Sequence, residues 1–350
     1  MRVSVALCTY NGEPWLDEQL RSLLGQTAPP FEVVACDDGS SDRTVEVLER
    51  FRDAAPFPVR VYVNPVNLGT VGNFERAISL CEGDVISLCD QDDVWMPDKL
   101  ERTTAVFESR PDVALVFTDA EMVDADLRPL GKRLWNEVLF TPRLRRAFAR
   151  GHAVRTLAER NVVTGATMAF RAEYRELVLP LGNAEIHDER IAFLLSAVAP
   201  LGMVEEPTML YRIHPEQQRG VSGPQPVREP SLRHQLRRSL QKDPIEYLRA
   251  VAPLQEVAAF LESWADVFRP RPGAVGWIHS RIVHMRRRHE IQLGGLGAVG
   301  DVARELFSGR YHHHSRGMRS AARDLVLGPG RAALSRTRRA PAATRDADEP

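Results

Sequence analysis

The sequence has few cysteines and no long apolar run, and both absences restrict where the protein can work. Its four cysteines are Cys8, Cys36, Cys81 and Cys89, and none of them has the spacing of metal ligands. We therefore expect buried free thiols in a reducing compartment. No run reaches the roughly 18 apolar residues of a membrane-spanning helix, and residues 1–7 have a strand pattern without the features of a signal peptide. The sequence predicts a cytoplasmic protein and leaves open a peripheral position on a membrane.

Two common nucleotide-binding motifs are missing as well. A dinucleotide dehydrogenase needs a Gly-x-Gly-x-x-Gly turn after its first strand, whereas residues 9–14 contain one glycine. The phosphate loop with Gly-Lys-Ser/Thr does not occur. Residues 9–14 also contain no Lys or Arg, which argues against the basic loop of a sugar nucleotidylyltransferase.

Neither sign of charge dominates, because the formal net charge is -1, and this argues against a nucleic-acid-binding chain. The charge is unevenly placed, however. Residues 228–350 hold 22 Lys and Arg against 13 Asp and Glu, a net charge of +9, so residues 1–227 carry -10. We expect one domain in residues 1–227, a basic helical region in residues 228–328 and a disordered tail in residues 329–350.

Strand and helix patterns alternate four times in the first hundred residues. The strand-like apolar runs are Val3–Leu7, Phe31–Cys36, Val59–Val63 and Val85–Cys89. Each run ends in polar residues, and helical patterns separate the runs. This alternation is typical of an α/β fold with a mainly parallel sheet, in which ligands gather at the carboxyl ends of the strands.

The second half of the chain has weaker patterns. We expect a fifth strand at residues 113–117 and a strand pair near residues 203–204 and 208–213 that closes the domain. The loop after it contains His214, Gln217, Gln218 and Arg219, which we interpret as a lid. Beyond it, helical patterns start with Leu232, Leu236 and Leu240 and continue over residues 245–268, 275–291 and 302–327. Their basic amphipathic faces fit a membrane surface or solvated helices.

An apolar run that ends in Asp90, Asp92 and Asp93 stands out, because buried unpaired carboxylates are costly. The spacing Asp90-x-Asp92 lets two side chains converge on one divalent cation, and hard oxygen ligands suit Mg²⁺ or Mn²⁺. The alternative is a solvated acidic turn before the helix that Pro97 opens.

Asp188 lies at the predicted N-terminus of a helix, where the helix dipole stabilises an anion. A general base must be charged in this way. The alternative is a helix N-cap without a catalytic role.

Four motifs occur in order: Val5–Asn11, Val33–Asp42, Asp90–Trp95 and His187–Asp188. Together they resemble family 2 glycosyltransferases of the GT-A fold, over residues 3–220. Any one motif is weak, but the ordered set is specific. The fold class implied is α/β, with a Rossmann-like sheet flanked by helices and a C-terminal helical region.

The residues of the last two motifs, together with residues 165–171, are similar to those of a rhamnosyltransferase-like subgroup that builds bacterial surface glycans. Two departures from the family pattern matter. Asn73 stands where many relatives have a pair that contacts phosphate, and His187 replaces a commoner Glu. Residues 217–220 lack the Trp of the Gln-x-x-Arg-Trp motif of polysaccharide synthases, which favours transfer of one sugar over processive synthesis.

The resemblance implies roles for single residues. Tyr10 would stack on the nucleobase, and Asp38, with Asp37, would hydrogen-bond it. Asp90 would hold the ribose, and Asp92 would ligate the Mg²⁺ or Mn²⁺ that bridges the diphosphate. The other residues expected to bind substrate are Thr9, Asn11, Asn67, Gln91, Asp93, Trp95 and His187. The role of His187 is open between binding the acceptor and orienting Asp188.

Asp188 would be the catalytic base of an inverting transfer, which needs no enzyme nucleophile. We expect an enzyme that moves rhamnose or a hexose from a dTDP- or UDP-sugar to a glycan or lipid-linked acceptor in cell-surface polysaccharide synthesis. The alternative is a catalytically silent nucleotide-sugar-binding scaffold subunit. The joint presence of Asp38, Asp90, Asp92 and Asp188 favours the enzyme, because a binding module needs no base.

Overall fold

The structure is a computed structural model that describes residues 1–182, 184, 186–217, 244–294, 297–315 and 317–337, with the backbone alone for residues 328–337. The chain divides into two compact units. The N-terminal unit comprises Met1–Pro226 with Trp264–Arg271, and the C-terminal unit comprises Val227–Ser263 with Pro272–Pro350. The predicted residues Gln218, Arg219, Leu232, Leu236 and Leu240 lie outside the described part of the chain.

The described part of the N-terminal unit is built on a sheet of nine strands. The strands are β1 (Val3–Thr9), β2 (Glu32–Asp37), β3 (Val59–Val63), β4 (Val85–Asp90), β5 (Val94–Trp95), β6 (Leu115–Val123), β7 (Pro129–Arg133), β8 (Met168–Arg171) and β9 (Leu201–Arg212). Their order is β3-β2-β1-β4-β8-β6-β9-β5, and β7 pairs with β6. The predicted α/β class is confirmed.

The first four strands are parallel, and their register places acidic residues at one edge of the sheet. Cys8 lies opposite Asp90, and Thr9 lies opposite Asp37. The polar ends of β1, β2 and β4 therefore meet, as the alternating pattern predicts. Beyond β4 the sheet is mixed, because β8 is antiparallel to both β4 and β6, and β9 is parallel to β6.

Helices cover the sheet because each buries one apolar face. They are α1 (Glu13–Leu24), α2 (Thr44–Ala54), α3 (Gly69–Leu80), α4 (Lys99–Ser109), α5 (Leu134–Glu137), α6 (Pro142–Ala149), α7 (Ala153–Leu157), α8 (Arg175–Val178) and α9 (His187–Val198). In α1, for example, Leu16, Leu20 and Leu23 are buried, and Pro14 stands in the first turn. All four cysteines are buried and unpaired, as predicted.

The predicted strand pair at residues 203–204 and 208–213 is wrong, because β9 is one strand of 12 residues. The exposed Glu205 and Glu206 suggest a break in the sequence. The register against β6 instead shifts between Thr118 and Asp119 and again before Glu121, and these irregularities accommodate the polar pair within one strand.

The described part of the C-terminal unit is helical: α10 (Ile245–Arg249), α11 (Val251–Ser263), α12 (Ala274–Leu293), α13 (Ala298–Phe307), α14 (Arg310–His314) and α15 (Met318–Thr337). The predicted helix over residues 302–327 is wrong, because Gly309 takes a left-handed φ of 77° that ends one helix and starts another. Likewise, the helix predicted over residues 245–268 is divided in two and ends at Ser263.

The last helix of the C-terminal unit extends into the region predicted to be a disordered tail. Helix α15 continues to Thr337, so residues 329–337 are helical although the sequence predicts disorder there, and residues 338–350 lie outside the described part.

Buried Arg288 and Asp324 form an ion pair at 2.7 Å, and the Tyr311 hydroxyl group donates a hydrogen bond to Asp324. Among the described residues, no helix is long and apolar enough to cross a bilayer.

Candidate active site

A cavity of about 520 Å³ lies at the carboxyl ends of β1 and β4. Pockets of this size hold small-molecule ligands in many proteins. Nine of the residues predicted to bind substrate or metal or to act as base line it: Thr9, Tyr10, Asn11, Asp38, Asp90, Gln91, Asp92, His187 and Asp188. The structure therefore brings together motifs that are far apart in the sequence.

Four of the predicted substrate-binding residues do not line the cavity: Asp37, Asn67, Asp93 and Trp95. Asp37 is fully buried and accepts hydrogen bonds from Thr9 Oγ1 (2.9 Å) and from the Ser40 amide (2.8 Å). Trp95 packs in the hydrophobic core. We assign neither residue a contact with substrate.

The turn after β1 is held by a side-chain amide. The Tyr10 amide donates to Gln91 Oε1 (2.8 Å), and Gln91 Nε2 donates to the Tyr10 carbonyl (3.0 Å). A Cβ atom on Gly12 would lie 2.2 Å from Gln91 Oε1, so a larger residue at position 12 would displace this side chain. Gln91 thus fixes Tyr10, a residue that is 38% exposed, at the mouth of the cavity.

Asp38 organises a second wall of the cavity. Its carboxylate accepts hydrogen bonds from the amides of Leu68 and Gly69, both at 2.8 Å, and from Asn64 Nδ2 at 2.7 Å. An ionised carboxylate has about four lone-pair positions, so one remains for a ligand. Asn73, the departure from the family pattern, also lines the cavity, and its Nδ2 donates to the Cys36 carbonyl (2.8 Å).

The Asp92 and His214 side chains are hydrogen-bonded to each other in the cavity lining. The distance from His214 Nε2 to Asp92 Oδ2 is 2.9 Å, and both residues line the cavity. Buried Arg212 donates through Nε to the Asp92 carbonyl (2.7 Å), and its guanidinium also bonds the Glu18 carboxylate. The Arg212 amide donates to Asp93 Oδ1 at 3.0 Å. The end of β9 therefore fixes the position of the acidic segment Asp90–Asp93.

Asp188 is held from two sides at the start of α9. The Gly165 amide donates to its Oδ2, and Asn161 Nδ2 donates to its Oδ1, both at 2.8 Å. Gly165–Thr167 forms a short 3-10 turn before β8, which we call the base turn. The Glu189 amide adds a third hydrogen bond to this carboxylate. A carboxylate has about four lone-pair positions, so one remains for a proton from a ligand.

His187 packs beside this carboxylate. Its ring stacks on Phe74 with the centroids 4.1 Å apart. A Cβ atom on residue 165 would lie 2.7 Å from His187 Nε2, so the close approach requires glycine at that position. Burial lowers the pKa of His187 to about 4, and the ring is neutral at physiological pH.

Carboxyl groups that are buried together in the cavity have raised pKa values. Burial, and then repulsion from Asp92 and Asp188, raises the pKa of Asp90 to about 8. Burial raises the pKa of Asp188 to about 7, although the hydrogen bond from the Gly165 amide opposes that shift. A cation or a hydrogen-bonding ligand in the cavity would relieve this repulsion.

These shifts predict the pH dependence of stability without ligand. A carboxyl whose pKa is raised in the folded state keeps a proton that the unfolded chain has lost, so the free energy of unfolding falls as the pH rises to the folded pKa. The histidines whose pKa is lowered by folding oppose this trend only weakly above about pH 6.5, because at least half of the histidines of the unfolded chain have then lost their proton. We expect a lower Tm at about pH 8 than at about pH 6.5 by calorimetry, and a smaller decrease in Asp90→Asn. A Tm that rises over this interval would contradict the electrostatics described.

Several cavity residues carry no sequence signal. The Trp15 and His214 rings lie with their centroids 4.7 Å apart in a tilted arrangement, and Phe74 and Tyr211 are ordinary apolar positions of a helix and a strand. Asn161 lies in no motif, although it bonds the Asp188 carboxylate. Only the tertiary arrangement brings these side chains to the site.

The chain is similar to known proteins in sequence. Residues 4–173 match the family model described as Glycosyl transferase family 2. An uncharacterized glycosyltransferase of Nostoc sp. is 32% identical over 126 residues, which cover 36% of this chain and 38% of the relative. The dTDP-rhamnosyl transferase RfbG of Shigella flexneri is 35% identical over 99 residues, 27% of this chain and 34% of the relative. The chain thus aligns with less than two fifths of the length of either relative.

The fold is similar to that of a solved structure. The crystal structure of residues 1–349 of S. aureus TarS in complex with UDP-GlcNAc superposes with a TM-score of 0.53, at 15% sequence identity. The superposition covers 96% of this chain and 92% of the other. At this identity the likeness shows the fold alone. Residues 4–173 of the chain are therefore similar to glycosyl transferase family 2, and the N-terminal unit has the GT-A fold.

Proposed function

We propose that the chain is an inverting glycosyltransferase that moves one sugar from a dTDP- or UDP-sugar to a hydroxyl group of a glycan or lipid-linked acceptor. The observation that carries the proposal is the placement of Asp188 in the same cavity as Asp90 and Asp92. Asp188 has the geometry of a base, and the two other carboxylates suit a nucleoside diphosphate with its cation.

The nucleotide would lie along the ends of β1, β2 and β4. Tyr10 is exposed at the cavity mouth and offers its ring to a nucleobase, and Asp38 has a lone pair free for a donor on the base. Asp90 would accept a hydrogen bond from the ribose. Such a bond stabilises the ionised carboxylate and opposes the repulsion from Asp92 and Asp188.

The residues present fit a divalent cation. Asp92 Oδ2 and His214 Nε2 lie 2.9 Å apart, and oxygen and imidazole ligands suit Mn²⁺ or Mg²⁺. Among the described residues, no group of three or more His, Cys, Asp or Glu side chains could hold a metal alone. Asp92 and His214 would therefore share the cation with diphosphate oxygens. The bound cation would offset the charge of the departing nucleoside diphosphate.

Asp188 would accept the proton of the acceptor hydroxyl group. The acceptor oxygen forms a bond to the anomeric carbon while the bond from that carbon to the diphosphate oxygen breaks, and the nucleoside diphosphate leaves. Because Asp188 serves as base, one displacement suffices and the anomeric configuration inverts. A pKa raised by burial to about 7 matches this role near neutral pH.

The donor proposed is dTDP-rhamnose or a UDP-hexose. Similarity to the dTDP-rhamnosyl transferase RfbG supports the first, and the resemblance to the bacterial surface-glycan subgroup supports a place in polysaccharide synthesis.

We propose a cytoplasmic enzyme in peripheral contact with the membrane through its basic C-terminal region. Phe307 of α13 is 90% exposed and would insert its ring into the interface of the bilayer, and sedimentation with anionic vesicles tests this contact.

The test of function is the release of nucleoside diphosphate from a donor panel. The panel contains dTDP-rhamnose, UDP-glucose and UDP-galactose, each with and without Mn²⁺, and a bacterial lipid extract supplies acceptors. We expect one donor to react, and only with the cation. Tight binding of a donor without release would instead indicate the silent scaffold.

A further inference from the structure

Lys99 is a buried charged residue that the proposed reaction does not use. Only 1% of its surface is exposed, although it lies at the first position of α4, directly after the acidic segment and β5. Burial lowers its pKa to about 8, so the ammonium group is mostly protonated at neutral pH. A buried ammonium is costly to desolvate, so its presence here calls for a role beyond filling space.

The Lys99 ammonium group contacts the turn that holds Asp188. Its Nζ donates to the Ala166 carbonyl at 3.1 Å, lies 3.5 Å from Met209 Sδ and lies 4.7 Å from the centre of the Trp95 ring. Ala166 is the central residue of the base turn. Its neighbour Gly165 donates the amide hydrogen bond to Asp188 Oδ2.

We propose that Lys99 is a positioning residue that fixes the base turn relative to the acidic segment. The inference rests on the proposed function, since it assigns Lys99 to the geometry of that reaction. The chain of contacts is short: Lys99 Nζ holds the Ala166 carbonyl, and the adjacent residue holds Asp188 through its amide. The Lys99 amide in turn bonds the Met96 carbonyl (3.1 Å), close after the acidic segment.

This arrangement links the two halves of the cavity through one side chain. The acidic segment follows β4, whereas the base turn precedes β8, and Lys99 and Ala166 are 67 positions apart in the sequence. A displacement of a reacting group by about 1 Å can reduce a rate by about 10²-fold. The loss of Lys99 should therefore reduce turnover and leave the nucleotide contacts in place.

Lys99→Met tests the proposal, because methionine keeps much of the length and removes the charge and the hydrogen bond. We expect turnover to fall about 10- to 100-fold. Donor affinity measured with Mn²⁺ should stay within about twofold, and the Tm should fall by no more than about 2–8 °C, as expected for the loss of one buried hydrogen bond. Lys99→Gln retains a hydrogen-bond donor, and we expect it to recover part of the lost turnover.

Hydrogen exchange gives a readout that does not need a substrate. The Gly165 amide should exchange at least about tenfold faster in Lys99→Met, while the buried Val34 amide in β2 serves as an unchanged reference. Unchanged turnover, or parallel losses of turnover, donor affinity and Tm, would overturn the proposal. If the wild-type protein turns over no donor, the proposed function fails, and the exchange of Gly165 still decides the role of Lys99.

Discussion

Replacing Asp188 with Asn should reduce turnover by about 10³-fold while donor affinity stays within about twofold. The amide cannot accept the proton of the acceptor hydroxyl group, whereas its size and its position at the start of α9 are kept. The amide oxygen of the variant can still accept one of the two hydrogen bonds that Gly165 and Asn161 provide. The measurement is turnover under saturating donor, together with calorimetric donor binding.

Glu189→Gln is the matched control for this variant. Glu189 is the next residue of the same helix and is exposed, so its replacement removes one negative charge without removing the base. We expect turnover within about threefold of the wild type, as for other changes at exposed positions. Near-normal turnover in Asp188→Asn would reject Asp188 as the base. Equal losses in both variants would show an effect of charge alone.

The second large effect is expected at Asp92. Asp92→Asn should weaken Mn²⁺-dependent donor binding by at least about 10²-fold, because a neutral amide is a poor ligand for a divalent cation. Residual binding should no longer depend on Mn²⁺. Calorimetric titration of the donor with and without the cation measures both quantities.

Asp84→Asn is the control for this variant, since Asp84 directly precedes β4, at the end of the strand opposite to the cavity. It is exposed and paired with Arg2, so binding should be unchanged. If Asp92→Asn retained the full response to Mn²⁺, the cation would be held elsewhere and the assignment of Asp92 and His214 would be wrong.

The part of the site that follows the first strands could be predicted from the sequence. The ends of β1 and β4 carry Tyr10 and Asp90–Asp93 as short local patterns, and parallel pairing brings such ends together. The pairing of parallel strands does not predict which side chains at the strand ends line the cavity and which pack in the core. Asp37 and Trp95 belong to the same motifs, but they complete the hydrogen bonds and the core beneath the cavity.

The second half of the site depends on contacts that no local pattern encodes. Asn161 and Lys99 act on Asp188 and on the base turn from elements that are distant in sequence. The sequence pattern places His214 only in a lid, yet its ring contacts Asp92 because β9 is one long strand. The register shifts that allow this strand depend on packing against β6.

Calorimetric titration of the wild-type protein tests the central claim most directly. The titrants are UDP, dTDP, GDP, UDP-glucose, UDP-galactose and dTDP-rhamnose, each with and without Mn²⁺. The account predicts that a uridine or thymidine nucleotide and its sugar conjugate bind at one site per chain, and that Mn²⁺ strengthens the binding. Absence of binding by every member, or binding that Mn²⁺ does not change, would contradict it.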